Sequence, residues 1–194
     1  MKARGLHGVQ LVISDAHTGL KTAIGSVLLG ASWQRCRVHF LRNLLATIPK
    51  GSQEMGAAAI RTIFAQPDTA SVRAQLDIIA GMLGRQFPKV ETMLRDAADD
   101  LTAFADFPAA HWKKIWSTNP LERVNKKIKR RTDVVGVFPN PAALLRLAGA
   151  VLAEIHDEWQ VSDRRYLSET SMAQLTDPTP EPTKEVAPPA MIAS

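Results

Sequence analysis

The chain of 194 residues is 45% hydrophobic and 22% charged, which suffices to bury the core of one ordinary domain, and no apolar run approaches a membrane span. A single cysteine, Cys36, excludes an internal disulfide framework, and the basic N-terminus has an apolar run too short for a secretory signal, which points to a reducing, cytoplasmic setting. The net charge of +5 is unevenly held: residues 113–131 carry eight Lys or Arg and one acid, a local +7, so the remainder carries −2.

Taken in chain order, residues 9–14 (VQLVIS) form a β-branched run bounded by Gly8 and Asp15, the pattern of a buried strand. Residues 18–29 place apolar side chains at 20, 23, 24, 27 and 28, predicting a helix closed by Gly30. Residues 33–40 (WQRCRVHF) predict a second strand, and strand, helix and strand with short connections predict a right-handed parallel crossover. From residue 41 to about 107 the spacing is wholly helical, broken at 49–51, 66–68 and 86–88. A helix over residues 120–131, a loop (TDVVGVFPNP) and a long amphipathic helix over about 142–160 follow. After about residue 173 the proline-rich tail has too few large apolar side chains to offset its ordering entropy, and it is predicted to be disordered. The fold class is therefore α/β and mostly helical.

The basic segment, HWKKIWSTNPLERVNKKIKRR, holds one carboxylate, Glu122, among its cations. Positive charge of that density is the electrostatic footprint of nucleic acid. Asn119 suits an N-cap, Pro120 the first helical position, and Leu121, Val124 and Ile128 form an apolar stripe. Glu122, Asn125 and Lys129 then share a narrow sector beside that stripe, with Lys126 at its edge. Asn119 and Glu122 also match a capping box, in which the glutamate only satisfies a free backbone N–H. Asp15 poses the same choice. It stands at the carboxyl end of a strand, where open α/β sheets bind ligands, yet it could cap the following helix. If the two acids meet, they offer oxygens to a divalent metal of the Mg²⁺ kind.

Cys36 and His39 form a C-x-x-H pair, but a structural zinc site needs four ligands and no second cysteine exists. A buried Cys36 with a hydrogen-bonded His39 near the cleft is the better reading. The acidic group Glu154, Asp157 and Glu158 with His156 reads as a solvated helix flank.

SDAHTGLKTAI, WQRCRVHFLRNLL, STNPLERVNKKIKRRTDVVGVFPNPAALLRL and the later Glu158, Trp159 and Tyr166 together resemble the mutator-type transposases of insertion sequences. The resemblance covers roughly residues 2–166. It implies a ribonuclease-H-like catalytic domain with a DDE triad of metal-binding acids, a helical insertion before the glutamate, and Mg²⁺ or Mn²⁺ as cofactor. Asp15 matches the second aspartate, Glu122 the glutamate, Cys36 and His39 the C-x-x-H signature, and Lys129 a basic residue that touches DNA near the scissile phosphate. Asn125, Lys126, Arg130 and Arg131 are the accompanying candidate DNA contacts. DNA, as transposon ends and target, is the implied partner, with self-association and no membrane, in a nucleoid-associated cytoplasmic setting.

On this resemblance residues 1–40 are a partial ribonuclease-H-like core with two parallel strands, 41–110 the all-helical insertion, 111–172 the glutamate helix and C-terminal helix, and 173–194 the tail. The first aspartate and the N-terminal DNA-binding domain that the resemblance implies are not matched here, so the chain reads as a C-terminal portion and is expected to lack transposition activity alone. A non-catalytic DNA-binding remnant that interferes with an intact transposase is the alternative.

Overall fold

The computed structural model describes residues 3, 5–161 and 166–175. Strand β1 (Leu11–Ser14) pairs in parallel with β2 (Ser32–Arg35), Leu11 opposite Ser32 and Ser14 opposite Arg35. β1 is shorter than the predicted 9–14. Helix α1 (Thr18–Val27) links the strands and buries only Ile24. It stops short of the predicted residue 29, and Gly30, at φ 84°, turns the chain into β2 in a conformation that favours glycine.

The predicted strand over residues 33–40 requires correction. β2 ends at Arg35, and helix α2 (Arg37–Leu45) begins after a single residue. The Cys36 amide still donates to the Ser14 carbonyl (2.8 Å), extending the ladder, but the Cys36 carbonyl accepts from Phe40 (3.0 Å), the first turn of a helix. Cys36, Phe40 and Leu44, four residues apart, are all buried. That helical spacing overrides the strand-like look of WQRCRVHF.

The helices α3 (Gln53–Ile63), α4 (Thr69–Gly84), α5 (Pro88–Asp96) and α6 (Ala98–Thr102) follow, with 3₁₀ turns at Lys50–Ser52 and Ala103–Asp106. The breaks before α3, α4 and α5 fall at the predicted proline segments, whereas the break between α5 and α6 at Ala97 was not predicted. The main core runs from Phe40 to Trp112 and so lies within this helical region. Phe104 is its hub, stacked on Phe64 (centroids 5.6 Å apart) and edge-on to Trp112 (5.2 Å) and Trp116 (5.8 Å). The two-stranded sheet is tied to this core by Gln34, which is fully buried. Its amide donates to the Leu101 carbonyl (2.9 Å) and accepts from the Phe104 amide (2.7 Å), so a buried polar side chain is satisfied at both ends.

A short α7 (Trp112–Ile115) leads to α8 (Asn119–Val135) and α9 (Pro141–Val161). α8 runs past the predicted residue 131 and leaves only residues 136–140 as a loop. Ion pairs Lys127–Glu158 and Arg131–Glu154 advance along α8 while retreating along α9, so the two helices are antiparallel. α9 buries Val151 and Ile155, whereas α8 buries no residue and leaves Leu121 58% exposed. A short α10 (Glu169–Ala173) ends the described structure, and the predicted tail from residue 176 lies outside the described residues. Among the described residues no helix is long and apolar enough to cross a membrane.

Candidate active site

Two backbone links bring distant segments together at Cys36. On one side the Cys36–Ser14 bond holds the end of β1, and hence Asp15, against the start of α2. On the other, the Arg37 amide donates to the Trp116 carbonyl (3.0 Å), and the Thr118 amide donates to the Cys36 sulfur (3.4 Å). The N-terminus of α2 therefore grips residues 116–118, from which α8 springs. The Thr118 hydroxyl lies 3.3 Å from the same sulfur and 2.9 Å from Glu122 Oε1. With one proton to give, it serves the charged carboxylate and leaves the sulfur to the amide.

This local geometry replaces the predicted capping box. Thr118, not Asn119, occupies the N-cap position of α8, and the Glu122 carboxylate binds a hydroxyl instead of a backbone N–H. Asp15 is likewise not the N-cap of α1. That role falls to His17, whose ring accepts from the Leu20 amide (3.3 Å), while Asp15 Oδ1 accepts only from its neighbour Ala16 (2.9 Å).

His39 sits one turn into α2, between the two acids. Its Nε2 is 3.3 Å from Glu122 Oε1 and its Nδ1 is 3.9 Å from Asp15 Oδ2. Nδ1 is buried without a hydrogen bond, and the ring as a whole is 22% exposed against 56% for Asp15 and 46% for Glu122. Asp15, Cys36, His39 and Glu122, from three separate elements, thus form one cluster, with both carboxylates open to solvent. Among the described residues no group of three or more His, Cys, Asp or Glu is arranged to hold a metal ion. Carboxylate oxygens are the donor type that hard cations such as Mg²⁺ take, one or two of them together with waters and phosphate oxygens.

The cations divide into two sets. Lys127 and Arg131 are drawn to Glu158 (3.0 Å) and Glu154 (3.5 Å) on α9, so the acidic flank of α9 serves as a clasp for the hairpin. Asn125, Lys126, Lys129 and Arg130 are exposed along α8, and the three cations among them make no ion pair with described residues. Arg37 adds a cation that segment-by-segment charge reading missed. Its guanidinium lies flat on Trp116 (3.8 Å) and near Phe64 (5.1 Å). Burial lowers its pKa, opposed by the neighbouring Cys36, but an arginine keeps its charge regardless. Thr118 was missed as well; the only signal was a hydroxyl four residues before the glutamate.

Residues 1–162 match a protein-family model described as "Transposase, Mutator family". The chain is 50% identical over 187 residues to the transposase for insertion sequence element IS1081 of Mycobacterium tuberculosis, an alignment covering 94% of this chain and 45% of that protein. It is 39% identical over 164 residues to the transposase for insertion sequence element ISRM5 of Rhizobium meliloti, covering 84% and 41%. It is also 39% identical over 170 residues to the transposase for IS256 in transposon Tn4001 of Staphylococcus aureus, covering 87% and 43%. The chain spans less than half the length of these three relatives.

Proposed function

The chain belongs to the Mutator family of transposases, and on that premise we propose that it carries two acids of a DDE-type centre for DNA cleavage and strand transfer, on a partial ribonuclease-H-like fold. The observation that carries the reading is the convergence of Asp15 and Glu122 on His39 from segments far apart in the sequence. Neither carboxylate caps its helix: His17 caps α1, and Glu122 accepts from the hydroxyl of Thr118, the residue at the N-cap position of α8.

Asp15 and Glu122 would hold a divalent metal, Mg²⁺ or Mn²⁺. When bound, that ion supplies activation of the attacking oxygen and neutralises charge on the departing one. Thr118 orients the Glu122 carboxylate through its hydroxyl, and His39 lies between the two acids. Lys126, Lys129 and Arg130, with Asn125 and Arg131 beside them, bring the DNA of the element ends and target to the acids by phosphate contact. Residues 1–40 and 111–172 form the site in this reading, and residues 41–110 are an insertion that supplies the rigid core.

The stripe of unpaired cations on α8 does not depend on the acids. It supports a second reading, DNA binding without turnover, which would interfere with an intact transposase.

Mn²⁺ binding to the purified chain, followed by electron paramagnetic resonance, separates the two. On the catalytic reading Asp15→Asn and Glu122→Gln each weaken Mn²⁺ by about tenfold or more, at least the cost of losing an outer partner of a metal site. Affinity unchanged in both variants, with DNA binding intact, leaves the second reading.

A further inference from the structure

Glu122 also lines a pocket of about 600 Å³ whose described lining does not include Asp15 or His39. That volume falls within the roughly 300–1,000 Å³ of sites that hold one small molecule. Four cations line it: Arg37, Lys113, Arg123 and Lys126. None of them makes an ion pair with a described residue, whereas Lys127 and Arg131 a turn away are both neutralised by α9. Glu122 is the one acid among the described lining residues, so these residues together give the pocket a positive field. Trp116 and Tyr166 add aromatic wall beside Ser117, Asn119 and Pro120.

Both rings are held in place before any ligand arrives. Trp116 is edge-on to Phe64 (5.8 Å) and Phe104 (5.8 Å) and carries the Arg37 guanidinium on its face. Tyr166 stacks on Trp159 (centroids 6.5 Å apart, planes 9° apart) and donates its hydroxyl to the Lys114 carbonyl (3.3 Å). Lys114 Nζ also lies over the Tyr166 ring (5.5 Å), as Arg37 lies over Trp116, so the wall sets cations against aromatic rings. These are the two groups that a phosphate and a flat base use: rings give a base something to stack on, and cations track its backbone.

We propose that this pocket binds one unpaired nucleotide of the DNA strand whose phosphate reaches Glu122, the base lying against Trp116 and Tyr166 and its phosphate meeting Arg123 and Lys113. The proposal rests on the DNA-binding reading above and adds a preference for a strand end over a continuous duplex. A nucleotide inside a paired duplex cannot offer its base face to the rings, so the pocket discriminates by pairing state and tolerates any sequence.

The test is fluorescence anisotropy of the purified chain with two probes of the same sequence, a blunt duplex and a duplex with a short 3′ single-stranded overhang. The overhang binds tighter, and Tyr166→Ala removes about tenfold of its affinity, the effect of one lost base stack. Tyr166→Phe, which keeps the ring, retains the preference. Lys113→Gln and Arg123→Gln each lower the salt slope by about one. Equal affinity for both probes, or an overhang preference that survives Tyr166→Ala, overturns the pocket. Lys129→Gln and Arg130→Gln, outside the pocket, tell the two failures apart. If they weaken binding while the pocket variants do not, the DNA reading stands and the pocket falls; if no variant changes binding, both fall.

Discussion

The backbone amide of Thr118 meets the sulfur of Cys36 at 3.4 Å across 82 residues of sequence. The contact explains why a buried thiol sits three residues before a histidine at this site: the sulfur anchors the entry to α8, and the histidine, one turn on, faces the acids that the anchor aligns. Cys36 is fully buried, so its part is that of an acceptor and a packing group.

Thr118→Val keeps the amide contact and the side-chain shape but deletes the hydroxyl on Glu122. A loss of about 0.5–1.5 kcal/mol in urea unfolding is expected, the net worth of one hydrogen bond at a partly exposed site. Thr118→Ser should recover most of it. Equal stability of the Val and Ser variants would show that the hydroxyl does not hold the glutamate.

The division of cations along α8 sets their roles in DNA affinity. Lys126→Gln, Lys129→Gln and Arg130→Gln should each reduce the slope of log affinity against log salt by about one. Lys127→Gln and Arg131→Gln should reduce it by less, because Glu158 and Glu154 already compete for those charges. Anisotropy titrations over a range of salt read both sets, and equal slopes for all five variants would count against the division.

Gly84, the last residue of α4, faces α5 so closely that an added Cβ would stand 2.8 Å from the Cβ of Glu91. Alanine is the better helix former, yet Gly84→Ala should destabilise the chain by about 1–3 kcal/mol, the usual cost of overpacking. A urea midpoint that rises in this variant would mean that the two helices part without strain.

His111 is 2% exposed and its Nε2 has no partner. Burial lowers its pKa, and Lys114 lowers it further. The folded state therefore resists protonation more than the unfolded one. The stability is complete above the unfolded value of about 6.5 and is lost as pH falls from there toward the lower folded value. His111→Gln should flatten that part of the stability profile, measured by thermal unfolding across the range. A slope unchanged by the substitution would assign it to another group.

Local features of the sequence determined much of this architecture. The β-branched run before Asp15, the proline breaks between α2 and α5, and the apolar spacing of α9 each express an interaction among residues near in sequence, and their elements appear within a few residues of the predicted bounds. The segment at Cys36 misled because WQRCRVHF suits either a strand or a helix, and the choice was made by Phe40 and Leu44 finding the core and by the Arg37 amide finding Trp116. Family resemblance pointed to Asp15 and Glu122, but their spacing alone could not choose between a cap and a site. In the fold His17 and Thr118 stand at the N-cap positions, and the two carboxylates lie exposed beside His39, Asp15 accepting from Ala16 and Glu122 from Thr118. That Arg37, Lys113, Arg123 and Lys126 make no ion pair among the described residues was also beyond a linear reading, because whether a cation is neutralised depends on which acids the fold brings within a few ångströms, and the acids of α9 pair with Lys127 and Arg131.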